Sequence, residues 1–388
     1  MSDTSNFFEV KGRYATAKVF SFEKEKNAVN QINNICNNAA YKNSKIRIMP
    51  DYHKGKGSVI GFTSTLEDRI IPNAVGVDIN CGMYTVELGN IDIDFKKLDN
   101  FIRHNIPHGF KKNKRISNKI DEELKENIKR ISEKMNLDSR KQLRGVGSLG
   151  GGNHFIEINV SKDNKKYLVI HTGSRNFGLQ VCNYHQNEAV NYCKHKVKSL
   201  NDEIMHEYNL NKNQSFLEDE LAENYYVDMK AAQKYANENR RIIAERILKF
   251  LGLDIDKLKS FQTRHNYIDF EDKIIRKGAI SAHKGEMVLI PLNMRDGSIL
   301  AKGKGNEDWN YSAPHGAGRI MSRTQAKKEI SMNDYRNSMK DVFSTSVNKK
   351  TLDEAPFAYK SSQEILNSLD ETVEIIEILQ PLYNFKSS

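Results

Sequence analysis

Cysteine is scarce in this chain: Cys36, Cys81, Cys182 and Cys193 are the four in 388 residues. They show no paired spacing of a disulfide framework, which argues against a disulfide-stapled scaffold and for a reducing compartment. No run of 18 apolar residues occurs, and the N-terminus has no apolar signal-like region. A soluble, cytoplasmic protein with no membrane partner is therefore expected. Internal repeats, low-complexity linkers and clean composition shifts are also missing, so nothing marks a border between independent modules. Acidic residues are outnumbered: 60 Lys and Arg stand against 50 Asp and Glu, a formal net charge of +10. Such an excess suits a phosphate-rich partner such as a nucleic acid, although compositional bias toward Lys produces it too.

What is present is length and a mixed pattern. The chain is long enough for two or three average domains, or for one large α/β unit. The first hundred residues read as strands and loops, with short apolar runs and Gly/Pro turns over 45–65 and a strand–turn–strand over 70–88. Residues 113–135 carry Ile116, Ile120, Leu124, Ile128, Ile131 and Met135 at helical spacing, which predicts a solvated surface helix. Gly-rich turns and strands fill 141–180. A long helical region follows over roughly 181–251, with Gly252 as its stop. Strand and loop character resumes over 261–320, and a further helix is expected near 362–379.

The polar motifs are scattered along this length, so if they converge they do so across one fold. GVDINCGM (76–83) sets Asp78 and Cys81 three residues apart between glycines. A carboxylate and a thiol so placed are a hard and a soft metal ligand, and a thiolate can bridge two ions. A structural cysteine near a turn aspartate is the alternative. Three histidines join them: His154 after the glycines of GGGNHF, His171 at the end of the apolar run in VIHTGSR, and His265 in TRHNY. Each alone reads equally as a hydrogen-bonded structural imidazole. Together, one Asp, one Cys and three His suffice for two adjacent divalent ions able to clamp a phosphoryl group. Ligand type allows Zn, Mn, Fe or Co. SAPHGAGR (312–319) places His315 in a small-residue turn, where an imidazole can attack phosphorus and form a phosphoramidate. MPDYHKGKG (49–57) adds Asp51 and His53 beside Lys54 and Lys56. KGKGNEDW (302–309) lacks P-loop spacing and reads as a surface turn.

In order along the chain, MPDYHKGKG, GVDINCGM, GGGNHFIE, HTGSRN, RHN, RKGAISA, SAPHGAGR and a lysine near the C-terminus resemble the RtcB RNA ligases. The resemblance covers nearly the whole chain. It implies an α+β fold, one RtcB-like domain over 1–388 with mixed, largely antiparallel sheets around a central cleft and peripheral helices. The pattern alone yields only mixed α and β. Within that domain, 181–260 is the mainly helical segment. The family joins RNA 3′-phosphate or 2′,3′-cyclic phosphate ends to 5′-hydroxyl ends with GTP and Mn²⁺, in RNA repair or tRNA splicing.

Carried over by motif, Asp78, Cys81, His154, His171 and His265 hold two Mn²⁺ with Cys81 between them. His315 is the nucleophile that takes GMP, and Asp51 orients it. Asn153, Glu157, Asn266, Asn293, Ser298, Ala317, Gly318, Tyr359 and Lys386 are implied on the nucleotide. Arg175, Arg319 and Arg323 are implied on RNA phosphates. Two departures touch the nucleotide side. Pro291-Leu292-Asn293-Met294 stands where many members have Pro-Gly-Ser-Met, and Ser387 and Ser388 follow Lys386 where members end in Lys-Gly. Two other readings predict different behaviour. A di-metal phosphoesterase would not need His315, and a non-catalytic RNA-binding protein would tolerate its loss.

Overall fold

A computed structural model describes residues 7–387. Helices and sheets are mixed, and the strand pairs are antiparallel except for Thr16–Val19 beside Ile46–His53. The larger sheet has seven strands. In spatial order they are Ser260–Arg264, Gly82–Gly89, Lys166–Thr172, Phe155–Val160, Val373–Lys386, Gly297–Gly303 and Met287–Asn293. A six-stranded sheet runs Phe8–Lys11, Thr16–Val19, Ile46–His53, Ile60–Thr65, Ile274–Lys277 and Asn266–Asp269. A short pair, Ala279–Ser281 with Ser312–Pro314, continues from the second sheet.

Register in the larger sheet positions the chemistry. Gly82 pairs with Thr172 and with Arg264, and Phe155 pairs with His171. Two of these four strands begin and two end at the same edge. Cys81 and His154 just precede strand starts, His171 sits one residue before a strand end, and His265 just follows one. An antiparallel ladder thus brings four residues far apart in sequence to one rim.

The Asp219–Phe250 helix packs beneath this rim, burying Ala232, Tyr235, Ala236, Asn239, Ile243 and Ile247 among its apolar stripe. Gly252 ends it at φ +74, with Leu253 N–H donating to Leu248 O and Gly252 N–H to Lys249 O, so the stop expected there is a Schellman turn. The helical region divides into Arg175–Ser199, Asp202–Tyr208 and Asp219–Phe250.

Three local expectations are corrected. The helix expected over 113–135 spans Glu122–Lys134 only. Asp121 caps it by accepting from Leu124 N–H, and Leu124, Ile128 and Ile131 are buried, so this is a packed helix rather than a solvated one. Residues 113–121 form a loop, held where the Asn113 amide donates to the carbonyls of Arg144 and Val146. The first hundred residues also contain helices, Lys26–Cys36 and Phe95–Asn105. The Asn-rich first one has weak propensity, and burial of Ala28, Ile32, Ile35 and Cys36 on one face overrides it. Finally, the helix near 362–379 stops at Ser368, and Val373–Lys386 is a strand. Its β-branched Val373, Ile375, Ile376 and Ile378 suit the open slot between Gly297–Gly303 and Phe155–Val160.

Arg240 is fully buried in the long helix. Its Nη1 donates to the backbone carbonyls of Asn80 (2.6 Å) and Thr172 (2.7 Å), its Nε to Gln262 (2.9 Å) and its Nη2 to Asn237 (2.8 Å). Removing it orphans two carbonyls and opens a cavity. Arg240→Ala is expected to cost about 3–5 kcal/mol, read as a lowered urea midpoint.

Candidate metal centre and nucleotide cleft

The turn between Val75 and Gly82 delivers two ligands. Cys81 N–H donates to Asp78 O, and Asn80 takes a left-handed φ of 55, so Asp78 and Cys81 project to one side. Gly173 enables their approach to the Lys166–Thr172 strand. A Cβ there would strike the Asp78 carboxylate and come within 3.1 Å of the Cys81 Cα. Sequence reasoning missed this glycine, although it stands in the HTGSR motif.

The five expected ligands converge as two triads that share Cys81: Asp78, Cys81 and His154, and Cys81, His171 and His265. Cys81 Sγ lies 3.5 Å from His154 Nε2 and 3.3 Å from His171 Nε2. His171 Nε2 and His265 Nε2 face each other at 3.4 Å. His154 Nδ1 is 2.9 Å from Leu149 O, an acceptor that demands its proton there. With that proton on Nδ1, the Nε2 side of the ring faces Asp78 Oδ2 at 2.9 Å. Two acceptors so close need a cation between them or a proton.

The electrostatic surroundings point the same way. Burial and the crowding of other histidines hold His171 and His265 well below the usual imidazole range, so both are neutral, as ligands must be. Burial, then the Asp78 carboxylate, pushes the Cys81 thiol well up. A bound cation reverses that logic and favours the thiolate. Burial opposes ionisation of Asp78, but His154 and Cys81 outweigh it and its pKa falls. The residues fit two ions with a shared sulfur.

His315 belongs to the other sheet system. It follows Ser312–Pro314, and its Nδ1 lies 2.8 Å from Oδ2 of the buried Asp51, which stands on the Ile46–His53 strand. An Nδ1 proton given to Asp51 leaves Nε2 basic. The His315 ring is 5.1 Å from the His265 ring, so this pair borders the ligand cluster directly.

A cleft opens from there. Asn153, Glu157, Asn293, His315, Ala317, Tyr359 and Lys386, all expected on the nucleotide, line it. Ser298 is fully buried beside Gly297 of the lining, and its Oγ has no partner. Gly318 packs against Asp51. Asn266 is a strut: its amide donates to Asp78 O and accepts from Gly278 N–H. Asn293 is occupied in its own turn, accepting from the N–H groups of Arg295 and Asp296 and donating to Asp296. The Ala317 N–H is donated to Pro291 O.

The three arginines are not brought together. Arg319 reaches Tyr359 and the carbonyl of Asp353, and Arg323 pairs with Asp353 and Glu354. Arg175 lies apart, donating to Gly109 O at 2.9 Å. Sequence reasoning missed Glu354, Asn384 and Phe155, which also line the cleft. Lys386 Nζ meets Glu354 at 2.6 Å, and Tyr359 donates to the same carboxylate at 2.8 Å. Burial works against the Glu354 anion, but Lys386 and Arg323 overcome it and its pKa drops to about 2. No motif flags Glu354, since its charged partners Arg323 and Lys386 lie about thirty residues away on either side. Ser388, the last residue after Lys386, lies outside the described residues.

Against known families, the model described as tRNA-splicing ligase RtcB matches residues 31–387. The chain belongs to the RtcB family. It is similar to RNA-splicing ligase RtcB of Escherichia coli K12, 30% identical over 371 residues that cover 86% of this chain and 88% of that protein. It is also similar to tRNA-splicing ligase RtcB of Aeropyrum pernix, at 28% over 82% of each chain. A third relative, tRNA-splicing ligase RtcB of Nanoarchaeum equitans, is 28% identical over 92% of this chain and 91% of its own. Among the described residues, no helix is long and apolar enough to cross a membrane.

Two predictions follow from this geometry. In equilibrium dialysis against Mn²⁺, Cys81→Ala should lose both ions while His265→Ala loses one. Equal losses would mean that sulfur is not shared. Glu157 is fully buried, and burial raises its pKa to about 7 against the hydrogen bond from Asn384. A raised folded pKa gives stability that is fully present below the unfolded value and lost as pH rises toward 7. Between pH 5 and 8, Glu157→Gln should therefore gain on the wild type by roughly 2–3 kcal/mol in denaturant titrations.

Proposed function

We propose that this chain is a GTP- and Mn²⁺-dependent RNA ligase that joins 3′-phosphate or 2′,3′-cyclic phosphate ends to 5′-hydroxyl ends. The observation that carries this reading is the Asp51–His315 pair standing against a two-ion ligand cluster, with His315 ring-to-ring 5.1 Å from His265. A phosphoesterase would need the cluster and not the paired histidine. The similarity to proteins named RNA-splicing and tRNA-splicing ligases supports RNA as the substrate.

Asp51 accepts the Nδ1 proton of His315 and keeps Nε2 as the nucleophile. Nε2 attacks the α-phosphorus of GTP, the N–P bond forms, and the bond to pyrophosphate breaks. A cyclic phosphate is first opened by water to a 3′-phosphate. An oxygen of that phosphate displaces His315 from the guanylyl group, leaving the RNA end as a diphosphate with guanosine. The 5′-hydroxyl then attacks the RNA phosphorus, GMP departs, and the phosphodiester is complete. The monoester becomes a competent electrophile only because it gains this leaving group. With both ions bound, one carboxylate and one thiolate leave a net positive charge that neutralises the phosphates and holds the reacting groups in line.

Ser298, with its orphaned Oγ, and Lys386, on the acidic Glu354, are assigned to the guanosine side. Arg175, Arg319 and Arg323 are assigned to RNA phosphates. The chain is read as one RtcB-like domain, and a reducing, cytoplasmic setting suits a thiol that must stay free to ligate.

Incubation with radiolabelled GTP and Mn²⁺ should yield an acid-labile, alkali-stable GMP adduct on the protein. His315→Ala should abolish it. An adduct that survives in that variant, or none in the wild type, would sink the ligase reading.

A further inference from the structure

The loop that begins at His108 combines features that the joining reaction leaves unused. Its sequence HGFKKNKR places Lys111, Lys112, Lys114 and Arg115 in a row with no acid among them. Phe110 projects fully into solvent at the tip, the most exposed of the large apolar side chains described. An aromatic so placed contributes nothing to the core, and here it stands within a cluster of cations. Lys111, Lys114 and Arg115 are exposed, and none forms an ion pair among the described residues.

This loop is fastened to the site. Gly109 N–H donates to Gly150 O at 2.7 Å, and His108 bridges Gly150, so the loop lies along the glycine run that leads to His154. Arg175 ties the same two segments, donating to Gly109 O and to Ser148 Oγ. Between them is a cavity of about 270 Å³ lined by Phe110, Lys112, Lys141, Ser148, Arg175 and Asn176. The cations crowd one another there. Burial, then repulsion from Lys141 and Arg175, lowers the Lys112 pKa, and Asp138 offsets this only in part. An anion in that cavity would relieve the repulsion.

We propose that His108–Arg115, with Lys141 and Arg175, forms a track for the single-stranded RNA next to the end being joined, with Phe110 stacking on a nucleobase. This rests on the RNA-ligase reading of the site. A cationic rail with an aromatic platform is how single strands are held without base readout, since every base has a π-face and every linkage a phosphate. A double-stranded partner has no free base face to offer Phe110.

The test is anisotropy of a labelled single-stranded RNA with a 3′-phosphate, titrated at several salt concentrations without GTP. Phe110→Ala should weaken binding roughly fivefold to a hundredfold, and Phe110→Trp should restore it. A Lys111→Ala/Lys114→Ala/Arg115→Ala variant should flatten the log–log salt slope by about 2, from three lost phosphate contacts. Melting temperatures confirm that the exposed substitutions leave the fold intact. Unchanged affinity for Phe110→Ala, or an unchanged slope for the triple variant, overturns the track. Because GTP is absent, the two readings fail separately. Shifted binding without a guanylyl adduct removes the ligase reading and keeps the track. An adduct with unshifted binding does the reverse.

Discussion

The buried guanidinium of Arg240 is the constraint on which the site's geometry depends. It joins the carbonyl of Asn80, which precedes Cys81, to the carbonyl of Thr172, which follows His171. Among the described residues no carboxylate pairs with it, and its donors are met by neutral oxygens alone. Burial pulls its pKa to about 10, still well above neutrality. Charge-assisted hydrogen bonds gain about 1.5–3 kcal/mol each, but desolvating a cation costs several. Against an apolar side chain that filled the same space the net gain is therefore modest, and what the arrangement supplies is position. The long helix acts as a rigid bar that holds two ligand-bearing segments at a fixed separation.

That separation leaves the cluster little freedom. Gly173 allows Asp78 to pass close to the strand end, and the proton acceptor at Leu149 fixes the face that His154 presents. The second sheet then brings Asp51 and His315 to the same rim. Lys277, buried on that sheet, donates to the carbonyls of Lys56, Ser58 and Asn73, and so ties the MPDYHKGKG loop to the helix that leads into Asp78. The candidate ligand cluster and His315 come from different sheets, and buried basic side chains bonded to backbone oxygen hold both in place. The backbone oxygens accept from Arg240 without cancelling its charge, as a carboxylate would.

Residue types, more than elements, were legible in the sequence. A Cys-poor chain that spends Cys81 beside Asp78 in a Gly-bounded turn announces a ligand pair, and the turn contexts of His154, His171 and His265 complete it. Periodicity located the long helices because their apolar stripes are buried. It failed at 113–121 and 369–379 for opposite reasons. In the first, Asn113 bonds to the carbonyls of Arg144 and Val146 and Asp121 caps the helix from its N-terminal side, so the helix starts only at Glu122. In the second, a helical spacing of Ile and Val lost to an open place in a sheet. The cleft carboxylate Glu354 could not be read at all, since its partners Tyr359, Arg323 and Lys386 mark it only once folded. Asn266 and Asn293 show the converse. Their motifs stand out, yet in the fold their amides already serve the protein's own backbone.

The basic excess is not spread evenly, and its distribution distinguishes structural from available charge. Arg319, Arg323 and Lys327 lean on Asp353 and Glu354, and Lys119 on Glu245, so each of these cations is answered locally. Lys111, Lys114 and Arg115 are not, and they follow Gly109, whose N–H bonds to Gly150 in the glycine run before His154. Unpaired surface charge acts over about 8–10 Å at physiological salt, whereas paired charge is felt mainly at contact. A polyanion approaching this surface therefore meets open charge at the loop before the paired arginines at Asp353. The neutralised rim, in turn, keeps Lys386 and Tyr359 in one fixed arrangement on Glu354. Charge is thus left open at the loop and closed at the cleft rim.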